Sequence, residues 1–104
     1  SFSLLEKAYQ TAKRLDIPVQ VGNLFSTDVF YREPSPLPQW AKMGVLATEM
    51  ESAALYMNAA AARKEALCIV TVSDCPLRGE FTTAEERQTS FTDMMFLALE
   101  TACA

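Results

Sequence analysis

The sequence predicts an α/β chain, a layered mixed sheet flanked by helices, and three observations predict it. Helix-period and strand-period segments alternate along the chain. Residues 66–72 form an unbroken apolar and β-branched run, the pattern of a strand covered on both faces. Two apolar runs end on acids, at Glu49-Met50-Glu51 and at Ser73-Asp74, where the strand ends of an α/β sheet gather ligands.

Leu5, Ala8, Ala12 and Leu15 recur at helical spacing, so a helix is expected over residues 3–15, stopped before Pro18. Residues 18–22 alternate and read as a strand, followed by a segment holding Phe25, Phe30 and Tyr31. Pro34, Pro36 and Pro38 predict an irregular loop, with a short helical piece over residues 40–43 ended by Gly44. Residues 45–47 begin a second strand that breaks off at Thr48-Glu49-Met50-Glu51. The alanine-rich stretch 52–64 presents a narrow apolar stripe and is expected to be a buried helix. Thr83-Ala84-Glu85-Glu86 is a capping box, and the helix it opens is expected to carry Phe91, Met94, Met95, Ala98 and Ala102 on one face. Such an order implies a sheet whose strands are at least partly parallel.

With 104 residues there is room for one small domain. Nine basic residues are scattered against thirteen acidic ones, for a formal charge of -4, so no field exists to attract a nucleic-acid backbone. Cys68, Cys75 and Cys103 show no paired spacing and no histidine stands beside them, which disfavours both a disulfide framework and a zinc site. No signal-peptide layout opens the chain, and no apolar run approaches the roughly 18 residues of a membrane span. A cytoplasmic protein with no membrane partner is expected. Without histidine, proton transfer falls to carboxylates, hydroxyls or thiols.

Alternate residues of an extended chain point the same way, so Glu49 and Glu51 can face one site with Met50 behind. A carboxylate there can accept from two adjacent sugar hydroxyls. The same two acids equally suit the positive end of a helix. Asp74, at the end of the most apolar run, has two readings as well: a desolvated acid of raised pKa that donates to a ligand, or an ordinary turn aspartate. Arg87, one turn into the last helix, can reach back to Asp74 or stay in solvent. An aromatic ring after the first strand can stack on a heterocycle or fill a core. Cys75 has no basic neighbour in sequence to activate it and reads as packing.

Four stretches together, in this order, resemble a known family. They are residues 21–31 (VGNLFSTDVFY), 49–56 (EMESAALY), 71–74 (TVSD) and 84–91 (AEERQTSF), and they are similar to the C-terminal half of bacterial-type purine nucleoside phosphorylases, the high-molecular-mass trimeric or hexameric class. The resemblance spans almost the whole chain. It implies phosphorolysis of the N-glycosidic bond of purine ribo- and deoxyribonucleosides to free base and pentose 1-phosphate. It further implies inorganic phosphate as co-substrate, no metal or organic cofactor, and a homo-oligomer, a hexamer or trimer of dimers. By motif, Glu51 holds the ribose hydroxyls, Met50 contacts the sugar, Phe30 packs on the base, and Glu49 supports the pocket. Asp74 protonates purine N7, with Ser73 beside it and Arg87 favouring the transfer.

Cys75 stands where that family usually has histidine, and Thr48 where it has a small apolar residue. The resemblance further implies that residues 1–104 are a partial phosphorylase domain, with the glycine-rich, arginine-bearing phosphate site in an N-terminal half not represented here. Two alternatives remain at this point: a nucleosidase that uses water on methylthioadenosine, and a catalytically silent nucleoside-binding or assembly fragment.

Overall fold

The computed structural model describes residues 1–89 and 91–104. Its elements are α1 (Phe2–Arg14), β1 (Leu24–Ser26), α2 (Leu37–Lys42), β2 (Ala47–Glu49), α3 (Ser52–Ala61), a 3₁₀ turn (Pro76–Arg78), α4 (Ala84–Thr89) and α5 (Thr92–Cys103). They divide into two compact units, one of residues 1–20 with 65–104 and one of residues 21–64. The class is α/β, with helices and a parallel sheet.

In the first unit α1 packs on α5 through small side chains. Ala8, Thr11 and Ala12 are buried on one side, Leu97 and Thr101 on the other. Thr101 spends its hydroxyl on the Leu97 carbonyl at 2.7 Å, so a polar residue is buried without an orphaned donor. Arg14 and Glu100 pair at 3.2 Å on the rim, where exposure leaves a contribution of about 0–1 kcal/mol. Ser1 caps α1 by accepting the Leu4 N–H at 3.2 Å, and Lys13 and Arg14 sit at the negative end of the helix. The buried face of α5 is Leu97 and Thr101, not the expected Met95, Ala98 and Ala102. That helix is apolar on most sides, so periodicity alone does not choose its inner face. The expected continuous helix is two, α4 and α5, and Ser90, within the last stretch of resemblance, lies outside the described residues.

In the second unit β1 and β2 run parallel, with Leu24 beside Ala47, Phe25 beside Thr48 and Ser26 beside Glu49. α2 crosses between them in sequence, and Phe25 stacks on Trp40 with ring centroids 4.9 Å apart. Both strands lie two to six residues later than the expected stretches 18–22 and 45–47. A strand this short is defined by its ladder partner, which local alternation does not reveal. Pro38 sits inside α2, in its first turn, where a proline leaves no needed donor unfilled, so the third proline does not break the helix as expected.

Two expectations are overturned. Residues 66–72 form no strand among the described residues, and Val70 and Val72 are 40% and 66% exposed. An apolar run becomes a strand only against a paired neighbour. α3 is not buried: of its residues only Ser52 is, while Leu55 and Met57 stay exposed. Two three-residue strands are too small to cover its alanine stripe.

Three helices end alike. After α1, α2 and α3 the chain turns into the left-handed region at Asp16, Gly44 and Arg63, with φ of 56°, 82° and 53°. In each the next N–H reaches back over the turn, Ile17 to Ala12, Val45 to Trp40 and Lys64 to Ala59, at 2.9, 3.1 and 2.8 Å. This closure satisfies carbonyls that the helix leaves open.

Candidate active site

The residues singled out by sequence fall in two clusters, one in each unit. In residues 21–64 the acid-Met-acid stretch leaves β2 and enters α3. Glu49 turns back on the helix start: its Oε2 accepts the N–H groups of Glu51 and Ser52 at 2.7 and 2.6 Å, and its Oε1 accepts the Ser52 hydroxyl. Ser26, opposite Glu49 in the sheet, accepts the Ala53 N–H at 3.3 Å. The first turn of α3 thus has its open donors filled by two side chains from the strands.

Burial pushes the Glu49 carboxyl up, but the Ser52 hydroxyl, the Glu51 and Ser52 N–H groups and the Ser26 hydroxyl outweigh it and hold the pKa at about 2. Glu49 is therefore a fixed anion. Glu51 is exposed, and its Oε2 accepts the Met50 N–H at 3.2 Å. The two acids consequently differ in kind: one is consumed by the helix terminus and the other retains free acceptor positions. Met50 is 37% exposed. Phe30, in the loop after β1, is 73% exposed and meets Tyr31 edge-on at 4.7 Å. Phe25, the other aromatic candidate, serves the core through Trp40.

In the other unit Ser73 and Asp74 lie half-buried at the end of the extended stretch. A small loop follows. Cys75 and Glu80 exchange main-chain bonds at 2.7 and 3.0 Å around the 3₁₀ turn, and Gly79 provides the φ of 67° that closes it. This brings Thr82 back onto Asp74, and Oδ1 accepts both the Thr82 N–H at 2.7 Å and its hydroxyl at 3.1 Å. The expected capping box forms: Thr83 N–H donates to Glu86 at 3.2 Å and Glu86 N–H to the Thr83 hydroxyl at 3.1 Å. It starts α4 so that Arg87, one turn in, returns to the same place, and its guanidinium donates to Oδ2 of Asp74 at 3.3 Å.

Of the two readings of Asp74, that of a raised pKa is corrected here. The Thr82 N–H holds the carboxyl below the ordinary range; desolvation opposes it, and the Thr82 hydroxyl and the Arg87 charge add to the lowering. A half-exposed acid with three donors on it is stabilised as the anion, whereas the sequence reading rested on desolvation alone. Sequence reasoning also missed Arg78, whose guanidinium is raised by the Cys75 side chain and the nearby Glu80. Thr82 was missed as well; its only signal was its place before the capping box.

Among the described residues no three His, Cys, Asp or Glu side chains converge as a metal site, and no helix found there is long and apolar enough to cross a membrane.

Residues 1–103 match the family model described as the phosphorylase superfamily. The chain is 56% identical over 100 residues to a purine nucleoside phosphorylase DeoD-type of Bacillus velezensis, covering 96% of this chain and 43% of that protein. It is 55% identical over 103 residues to the protein of that description from Exiguobacterium sibiricum, covering 98% and 44%. A third, from Bacillus subtilis, is 53% identical over 98 residues, covering 94% and 42%. The chain thus spans under half the length of these relatives.

Proposed function

Because the chain belongs to the phosphorylase superfamily, we propose that the protein cleaves purine ribo- and deoxyribonucleosides with inorganic phosphate, giving free base and pentose 1-phosphate. Relatives at 53–56% identity carry the name purine nucleoside phosphorylase. The observation that most supports the reading within this chain is the Asp74–Arg87 pair at 3.3 Å.

In the reaction a phosphate oxygen bonds to C1′ of the sugar while the C1′–N9 bond breaks and its electron pair passes to the purine. The purine anion is a poor leaving group until N7 takes a proton. Asp74, which takes a proton from solvent while Arg87 is turned away, supplies it to N7 as Arg87 swings in, and is left as a carboxylate. The arrangement described above, with Thr82 and Arg87 donating to Asp74, is the one that favours the anion left behind. Arg87 therefore drives the transfer by stabilising its product, and Ser73 borders the same carboxyl. Glu51 accepts from the ribose hydroxyls as positive character builds on the sugar, Met50 contacts the sugar, and Phe30 packs on the base. Glu49 supports the pocket by holding the main chain of Glu51. Phosphate is the co-substrate, no metal or organic cofactor enters, and the protein is a cytoplasmic homo-oligomer, a hexamer or trimer of dimers. Residues 1–104 belong to its C-terminal, purine- and ribose-binding part.

The test is release of hypoxanthine from inosine by the product of the complete reading frame, with and without phosphate. Phosphate-dependent release, lowered about 10²–10⁴-fold in Asp74→Asn, is the expected result. Release that does not need phosphate overturns the phosphorylase reading in favour of hydrolysis, and an unchanged Asp74→Asn overturns the role of Asp74.

A further inference from the structure

Thr82 carries no charge and no marked motif, yet four hydrogen bonds around the Asp74–Arg87 pair end on it. Its N–H and hydroxyl donate to Oδ1 of Asp74 at 2.7 and 3.1 Å. Its hydroxyl oxygen accepts Nε of Arg87 at 3.1 Å, and its carbonyl accepts a terminal guanidinium nitrogen, also at 3.1 Å. The direct contact of acid and arginine, at 3.3 Å, is the longest of the set. A hydroxyl has one hydrogen to give and lone pairs to receive, and here both capacities are used in one direction, from arginine through threonine to carboxylate. Polarisation along such a chain strengthens each of its links.

Two donors on Oδ1 leave that oxygen no place for a proton, while Oδ2 carries Arg87 alone. We propose that Thr82 is the positioning residue of this pair: it fixes Oδ1 and the guanidinium together, so that Oδ2 is the oxygen that carries the proton and gives it to the purine. This rests on the reading of Asp74 as the acid.

The experiment compares Thr82→Val, which keeps the N–H and carbonyl but removes the hydroxyl, with Thr82→Ser, which restores it, in the product of the complete reading frame. Two substrates are used, inosine and an N7-methylated purine nucleoside whose base leaves without a proton. For inosine, Thr82→Val should lower kcat about 10–100-fold, the loss of a hydrogen bond to a charged group, with KM changed by less than about twofold. Thr82→Ser should recover most of the rate, and turnover of the N7-methylated substrate should stay near the wild-type rate in both variants, which also certifies that they fold. Titration of the Asp74 carboxyl carbon by NMR should move upward in Thr82→Val and return in Thr82→Ser. Equal losses on both substrates without rescue by serine would show a merely structural residue and overturn the proposal. If the wild type fails to release base from inosine, the phosphorylase reading fails by itself; the carboxyl titration still decides on Thr82, and superimposable curves for wild type and Thr82→Val overturn the proposal independently.

Discussion

Oε2 of Glu49 accepts the main-chain N–H of Ser52 at 2.6 Å while Oε1 takes its hydroxyl, so the carboxylate closes the first turn of α3 from the end of the neighbouring strand. Two acids two positions apart are thereby set in different surroundings. Glu49→Gln should lower stability by about 1 kcal/mol, in the range of a lost helix cap, seen as a fall of roughly 4–8 °C in Tm for a domain near 100 residues. Glu51→Gln, at an exposed position with one local bond, should leave Tm nearly unchanged and raise KM for the nucleoside. Calorimetry with initial-rate kinetics on the two variants checks the division; equal Tm losses would contradict it.

The depressed pKa of Glu49 has a pH signature. Its folded value, about 2, lies below its ordinary 4.5, so its contribution is fully present above the unfolded value. It is lost as pH falls from about 4.5 towards 2, because the unfolded chain takes up the proton first. Denaturant midpoints measured between pH 6 and pH 3 should therefore decline less steeply for Glu49→Gln than for the wild type.

Arg87 meets Asp74 and the hydroxyl and carbonyl oxygens of Thr82 with a planar, forked head. Lysine offers the charge without the fork. Arg87→Lys should lower kcat for inosine more than it raises KM, and should leave an N7-methylated purine nucleoside almost unaffected. A uniform loss on both substrates, measured by single-turnover kinetics, would argue that Arg87 acts elsewhere.

The left-handed turns after α1 and α3 are occupied by Asp16 and Arg63 at φ of 56° and 53°. A side chain is strained there, aspartate less than arginine. Arg63→Gly should stabilise the chain by roughly 0.5–1 kcal/mol and Asp16→Gly by less, after allowing for the greater freedom of glycine in the unfolded chain. Gly44→Ala should destabilise; nothing lies within 4 Å of the added carbon, so the cost is in the backbone alone. Chemical-denaturation midpoints order the three.

What the sequence made legible was local. The helix at α1 and the capping box at Thr83 and Glu86 depend on residues within one or two turns, and both form. Strands depend on partners far away, so β1 and β2 were misplaced by a few residues, and residues 66–72, however apolar, make no ladder among the described residues. The approach of Arg87 to Asp74 was open to a reading of helical reach, yet the charge state of Asp74 was not, because it turns on the fold of the 75–80 loop that returns Thr82. The unlike fates of Glu49 and Glu51 were equally hidden, since alternation treats them alike and only the entry angle of α3 separates them.

Ser26 Oγ and the Ala53 N–H are 27 positions apart in sequence and 3.3 Å apart in space. Bringing them together means closing a loop through α2 and aligning the two strands, an entropic toll that falls before any reward from the bond itself. The first turn of α3 is therefore completed by a side chain from a strand distant in sequence, and the setting of Glu51, which stands at that turn, depends on the pairing of β1 with β2 as well as on the helix itself.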